Sequence, residues 1–422
     1  MFEGGGRIVV WSRRLVKLST LFCLLAGVTQ HLNATPNFLR KIGNPPEGCH
    51  ACHTIMPRLN EFGYRFRAAG YRIPDQIGES ETKPFELGNY FSGGLTANYT
   101  ASKTQTGAVS SHTNQLTFSE LDVFPFTGAI GGNFATKVEI DFAPKGAVTL
   151  NTAYVRYVTG TGDHFFNARL GVFGKEGYGA SDRSIGSSSP LFTGASNYNQ
   201  TDFFTFQTTA GFEAGYDYKR TSVRGAILNG IMLVNDGGTL SAFGAQGGSL
   251  TKPAGQVTSS SPDFQFIANQ ILTSNGGGVY LQYYRGNIGE PVLGSTTQFW
   301  RNKFDRVMLY GSYPVTKYVM LLGGYGRGRD HLQDGSTFGS GGFFATIEVP
   351  IGQISSAGVR YDFFDPAKTK LSNEVNAVSA FWTLFNRQGL RLTAEFQHKD
   401  TIRGANPDQL INSFGVRMSY YR

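Results

Sequence analysis

From about residue 86 to the C-terminus, apolar and polar residues alternate one by one. The stretch 203–217 shows it best: Phe204, Phe206, Thr208, Ala210, Phe212, Ala214 and Tyr216 alternate with Thr205, Gln207, Thr209, Gly211, Glu213, Gly215 and Asp217. A period of two is that of an extended strand, whose successive side chains point to opposite faces. Sixteen such segments can be read, approximately 86–100, 115–130, 132–143, 148–160, 163–174, 203–218, 221–233, 263–272, 277–289, 300–315, 317–330, 341–352, 354–365, 373–386, 390–400 and 409–422. Soluble strands average about 5–6 residues, whereas a strand crossing a bilayer needs about 9–11.

The connections sort by parity. After the even-numbered segments they are short and built of turn residues: Gly131-Gly132, Gly160-Thr161-Gly162, Lys219-Arg220, Gly276-Gly277, Val315-Thr316, Gly352-Gln353 and Gln388-Gly389. After the odd ones they include the long Gly/Ser/Asn stretches 175–202 and 234–262. Short turns on one side and long loops on the other are what a membrane barrel with periplasmic turns and extracellular loops requires. The expected fold is therefore all-β, a 16-stranded transmembrane antiparallel β-barrel of porin-like form over residues 85–422. The C-terminal run from Ser413 to Tyr420 is similar to the terminal signature of outer-membrane barrels, although Tyr421 and Arg422 follow it.

Composition agrees. Glycine is 55 of 422 residues, aromatics are 14% and charged residues only 16%. Ordinary soluble domains carry about 25% charge and about 7% glycine. The net charge of +8 falls to about +5 once the first 34 residues are removed, which is modest over so long a chain and gives no footprint for nucleic acid.

The first 34 residues read as a secretory signal peptide: Arg13, Arg14 and Lys17, the apolar run Leu18–Val28, and a small-residue cleavage site near Ala34. Cys23 lies in the removed part. The remaining cysteines form Cys49-His50-Ala51-Cys52-His53, the C-x-x-C-H spacing of haem c attachment. Two thiols three positions apart can each bond one porphyrin vinyl group, and the following histidine can ligate the iron as proximal ligand. A thioredoxin-like pair would need a surrounding βαβ pattern, and a zinc site a second ligand pair nearby. Residues 35–84 are thus expected to be a short α-helical segment carrying one covalent haem c. Residues 57–67 read as its helix, with Leu59, Phe62 and Phe66 in an apolar stripe. About 50 residues bury little core, so this segment should lean on the barrel.

Phased on the apolar face, the inward positions include Arg156, Arg169, Arg224, Arg306, Arg327, Arg329, Arg360 and Arg417, together with Glu213, Asp217, Glu348 and Glu395. Glu120 and Asp122 lie across a hairpin from Glu139 and Asp141, a wall that could receive a hard cation such as Fe(II). The plainer reading pairs these carboxylates with lumenal arginines. For the sixth haem ligand the segment offers only His50 and Met56, both on the proximal side. A strong ligand must then come from the barrel, where Met308 faces inward and Met320 and Met418 are phased towards lipid; water is the alternative.

A signal peptide, one C-x-x-C-H and a sixteen-stranded barrel in one chain resemble the fused cytochrome–porin family, whose best-known members are outer-membrane iron oxidases. The residues that carry the resemblance are Ala34–Phe38, Arg40, Gly43, Cys49–His53, Pro57-Arg58-Leu59, Phe62-Gly63, Phe66 and Gly70-Tyr71; Leu39, Lys41, Ile42 and the Pro45-Pro46 insertion depart from it. The resemblance implies Fe(II) as an extracellular electron donor and activity as an iron oxidase. The arrangement suggests a conduit in the bacterial outer membrane. The barrel would contact outer-membrane lipid, with the haem on the periplasmic side or in the lumen and a periplasmic cytochrome taking the electron. Two alternatives stand beside it: a diffusion porin for small anions bearing a haem segment, and electron export to an extracellular acceptor.

One covalent haem per chain is expected. Haem staining of a denaturing gel should show a band for the wild type and none for Cys49→Ala/Cys52→Ala.

Overall fold

In the computed structural model each alternating segment contains a strand among its described residues, residues 86–90 and 203–208 lying outside them, and hairpin by hairpin the strands pair antiparallel until the last meets the first. The structure describes residues 37–43, 45–55, 58–79, 91–142, 148–174, 197–198, 201–202, 209–229, 231–236, 239–243, 262–291, 299–316, 318–331, 334–352, 354–366, 373–385, 389–402 and 407–421. The expected signal peptide, Met56 and most of the loops 175–202 and 234–262 lie outside them.

The barrel strands are β1 (Ser92–Thr106), β2 (Val109–Phe124, resuming as Thr127–Gly131), β3 (Phe134–Phe142), β4 (Val148–Thr161), β5 (His164–Phe173), β6 (Thr209–Tyr218), β7 (Thr221–Leu228) and β8 (Asp263–Ile271). They continue as β9 (Gly278–Pro291), β10 (Phe299–Thr316), β11 (Val319–His331), β12 (Thr337–Ile351), β13 (Ser355–Asp365), β14 (Val375–Phe385), β15 (Leu390–Thr401) and β16 (Gln409–Tyr421). The two parts of β2 form one strand, because Phe126 between them still accepts from the Val138 amide of β3. That makes sixteen strands. β16 closes on β1 from Gln409 opposite Thr106 to Tyr421 opposite Gly94. At this seam the Tyr421 ring would lie 2.7 Å from a Cβ on Gly94, so glycine is what lets it lie flat there. A further hairpin, Ile231–Asp236 with Thr239–Phe243, continues beyond β7.

The sheet is polar inside and apolar outside, the reverse of a soluble barrel. Arg156, Arg169, Glu213, Asp217, Arg224, Arg306, Glu348 and Arg360 are buried within it. Val155, Tyr157, Phe166, Leu170, Phe212, Tyr216, Val223 and Ile227 are exposed on its outer wall. Lipid is the solvent such a wall needs, and charge there costs about 2–4 kcal/mol at mid-membrane. Among the described residues no helix is long and apolar enough to cross a membrane. Connections at one end span two to six residues, and the chain's last strand also finishes there, its Tyr421 amide bonded to Gly389.

The observed strands follow the expected ones with two corrections. The strand β1 is described from Ser92, the expected residues 86–90 lying outside the described ones, and β1 and β2 run on as a polar hairpin to a turn at Gly107-Ala108, so His112 lies on a strand. In β11 the phase is opposite to that expected. Arg327 and Arg329 face outward, while Met320 and Leu322 are buried within the barrel beside Met308. Charge excludes a position from the hydrocarbon, not from the rim, and the inward face of β11 is held by Gly326, Gly328 and the buried Asp330.

Residues 37–79 sit inside the short-turn end. They form α1 (Asn37–Lys41), a 3₁₀ turn at Gly48–Ala51, a small strand pair (His53–Ile55 with Arg58–Leu59) and α2 (Glu61–Ala68). The helix expected at 57–67 therefore starts at Glu61, and His53 lies on extended chain.

If the short turns are periplasmic, tags inserted in 175–202 or 234–262 should be accessible to antibody on intact cells. A tag at Lys219-Arg220 should become accessible only after permeabilisation.

Candidate functional site

The N-terminal segment is anchored to turn after turn of one barrel end. Thr54 donates to the Asn275 carbonyl at 2.8 Å, and the Glu61 amide to Ser274 at 3.0 Å, both in the β8–β9 turn. Arg220 in the β6–β7 turn grips the Glu61 carboxylate through two nitrogens at 2.8 and 3.1 Å. Arg65 donates to Gly162 in the β4–β5 turn, and Arg72 to the Phe134 and Gly131 carbonyls beside the β2–β3 turn. From the wall itself, Arg156 donates to the Arg67 carbonyl at 2.6 Å and the Tyr154 hydroxyl meets that of Tyr71 at 3.0 Å.

One contact in this set is a buried ion pair. Arg58 bonds Glu348 on β12, both almost fully enclosed, and Ser356 of β13 donates to the other oxygen of Glu348 at 2.7 Å. Apolar packing fills the rest. Tyr64, Ala68, Ala69 and Ile77 pack on Val158, Phe165 and Ile271 of the wall. Phe66 and Tyr71 pack on Ala135, with Phe38, Ile42 and Phe62 around them.

The Cys49–His53 motif lies at the β14 side of this plug. Cys49 is buried with Leu39 against Phe385, the last residue of β14, with Ile42 and Ala51 alongside. The rings of His50 and His53 meet Phe385 edge-on, centroids 5.2 and 6.1 Å away. Asn60 clamps the motif turn. It caps α2 by accepting from the Gly63 amide at 2.8 Å, donates to the Ala51 carbonyl at 2.9 Å, and its own amide donates to Cys52 at 2.9 Å. A Cβ on Gly63 would lie 2.2 Å from the Cys52 carbonyl oxygen, so only glycine lets α2 lie directly on the motif.

Both thiols are free. Burial pushes Cys49 up to about 11, partly offset by a backbone hydrogen bond. Burial, with the neighbouring Cys49 adding, pushes Cys52 up to about 12. Both are therefore neutral thiols at physiological pH, unsuited to nucleophilic work. Two thiols, the next imidazole, and a lining of Leu39, Ile42 and Phe385 form a donor set and an apolar surface that fit a covalently attached porphyrin.

The other expected site residues are not brought to this place. Met308 is fully buried higher up the wall, packed among Tyr280, Tyr310, Met320 and Phe344. Its strand is four away from β14, about 19 Å around the wall at about 4.8 Å per strand. Asp122 and Asp141 stand directly opposite each other in β2 and β3, but Glu139 is bonded to Lys137 at 2.6 Å and to Asn151 at 3.2 Å. The Glu120 side chain is outside the described residues. Among those described, no three His, Cys, Asp or Glu side chains converge to hold a bare metal ion. Most lumenal arginines have carboxylate partners: Arg169 with Glu213 at 2.9 Å, Arg224 with Asp217 at 3.1 Å, Arg306 with Asp330 at 2.7 Å and Arg360 with Asp362 at 2.6 Å. A polar cleft of about 270 Å³ remains along β1, β15 and β16, lined by Asn98, Thr100, Glu395, Gln397, Arg391 and Arg417.

These features define a porin-like outer-membrane barrel with its own N-terminal segment lodged in one end. No family model matches the chain, and no curated protein matches it in sequence. Among solved structures the barrel is similar to an anion-selective porin from Comamonas acidovorans, at 10% identity over 78% of this chain and 98% of that one, with a TM-score of 0.53. The outer membrane channel DcaP of Acinetobacter baumannii aligns at 12% identity over 79% and 96%, with a TM-score of 0.49. At such identity the likeness is one of fold.

Glu348→Ala strands the Arg58 charge in a buried site, a loss of about 3–5 kcal/mol. Limited proteolysis of the folded barrel should then cut within residues 37–79 at least tenfold faster. The thiols add a pH dependence to the protein without attached haem. Below about pH 9 they are neutral whether the segment is docked or free. Above it the free segment loses protons that the docked one keeps up to about 11–12, so docking weakens progressively between those values. Cleavage of the segment at pH 10.5 relative to pH 7.5 should rise in the wild type and less in Cys49→Ser/Cys52→Ser.

Proposed function

We propose that this protein is an outer-membrane electron conduit carrying one haem c on its N-terminal plug. The observation that carries the reading is that the C-x-x-C-H motif lies inside the barrel end, packed against Phe385, rather than on a free domain beside the barrel. Bound there, the haem would supply a one-electron iron couple.

The chain's own residues have separate tasks. Cys49 and Cys52 would fix the group covalently, and His53 would ligate its iron. Leu39, Ile42 and Phe385 would shield it from water. Asn60 and Gly63 hold the motif turn against α2, and the Arg58–Glu348 pair holds the plug to the wall. A hydrocarbon core of about 30 Å would otherwise separate the two sides, so a redox group must be held within the barrel. In this reading an extracellular one-electron donor, Fe(II) by the family resemblance, delivers electrons through the loop end. A periplasmic cytochrome takes them at the turn end, which would make the protein an iron oxidase. Export to an extracellular acceptor uses the same parts in reverse.

The second reading is a diffusion porin for small anions. It is favoured by the fold shared with an anion-selective porin and by the polar cleft, where Arg391 and Arg417 line open space. The pairing of the other lumenal arginines with carboxylates weighs against a strongly anion-selective lumen.

Stopped-flow absorbance of the purified protein in vesicles distinguishes them. External Fe(II) should reduce the haem within minutes. Rapid efflux of small anions from those vesicles with no reduction would establish the porin reading instead.

A further inference from the structure

The lipid-facing wall carries a charged patch at its long-loop end. The register of β9, β10 and β11 aligns Arg285, Asp305 and Arg329 in one row, with Lys303 two residues beyond Asp305 and Arg327 two residues below Arg329. The four cationic side chains point away from the lumen, for Tyr284, Phe304, Arg306 and Asp330 between them in sequence are buried on the inner face. Tyr283 donates to Asp305 at 2.6 Å and Arg285 lies 3.9 Å from it. Among the described residues Lys303, Arg327 and Arg329 have no carboxylate partner.

The height of the row matters. Arg329 is ten residues beyond the start of β11, about 26 Å above it at about 3.4 Å per residue and a tilt of about 40°. An outer-membrane barrel's apolar band is about 25 Å tall, so the row lies at its upper edge. Outward Tyr283, two residues below Arg285, marks the same interface. Against the row opens a recess of about 610 Å³, bounded by Phe264, Arg285, Asn287, Lys303, Asp305 and His331.

Four cations against one carboxylate leave an excess of positive charge at headgroup height, which an anion in the plane of the membrane would offset. Guanidinium groups match the oxygens of a phosphate in a fork. The outer leaflet of a bacterial outer membrane presents phosphates on a glycolipid, lipopolysaccharide. We propose that this patch binds a lipopolysaccharide headgroup, its phosphates between Arg285, Lys303, Arg327 and Arg329 and its sugar in the recess. The proposal is independent of whether the plug carries haem.

Full-length protein in detergent can be titrated with bisphosphorylated lipid A, dephosphorylated lipid A and inorganic phosphate, with binding read by native mass spectrometry. The bisphosphorylated lipid should bind at least about tenfold more tightly than the dephosphorylated one. Binding should fall at least about tenfold in Arg285→Gln/Lys303→Gln/Arg329→Gln. The single variants Lys303→Gln and Arg329→Gln, each expected to lose about threefold, serve if the triple variant fails to form a heat-modifiable barrel. Equal binding of the two lipids, or unchanged binding by the variants, would overturn the proposal. So would inorganic phosphate competing as well as the lipid, or a variant that changes only the oligomeric state, which would mark the patch as a contact between copies.

Discussion

A chain in hydrocarbon must pair every backbone amide and carbonyl with itself, because no water is present to do so. A sheet meets that demand only by closing, and here β16 pairs with β1 along thirteen residues. The rest of the structure descends from this closure. A closed wall has an outer face that lipid must tolerate and an inner face that it never meets. Arg156, Arg224, Arg306 and Arg360 can be buried because the inner face lets each find polar partners. Sixteen strands also enclose a lumen too wide for wall side chains alone to fill.

The N-terminal segment fills the short-turn end of that lumen, and it does so by the means the inner face offers. Polar bonds to four successive turns fix its position, and small apolar clusters around Tyr64, Phe66 and Cys49 complete the packing. A segment of this size has too little core to stand alone. Docked, it packs Cys49 against Phe385, an apolar wall residue that completes the surface begun by its own Leu39 and Ile42. The proposed chemistry therefore depends on the barrel for its surroundings as well as for its place in the membrane.

The strands were legible in the sequence because lipid enforces the alternation that marks them. Where the chain rises out of lipid the mark fades. Residues 100–114 are polar on both faces, so the alternation predicts a loop where β1 and β2 continue as a hairpin. The same limit applies in β11, where charge alone assigns Arg327 and Arg329 to the lumen although the rim accepts them on the outer face. The motif was legible because its chemistry lies within five residues. Its supports were not: Glu348 is 290 residues from Arg58, and neither Phe385 nor Asn275 carries any local pattern that names its partner. Asn60 had a detectable signal, an N-cap residue directly before a helix, but its second task of holding the motif turn emerges only in three dimensions.

The proposed function requires that residues 37–79 occupy the barrel end. Single-channel conductance in planar bilayers measures this directly, comparing the full chain with a variant lacking those residues and checked for barrel formation by heat-modifiable migration. The full chain should conduct weakly, and the shortened chain should open to the large steps of an unplugged sixteen-stranded barrel. Equal conductance in the two would place the segment outside the lumen and contradict the account.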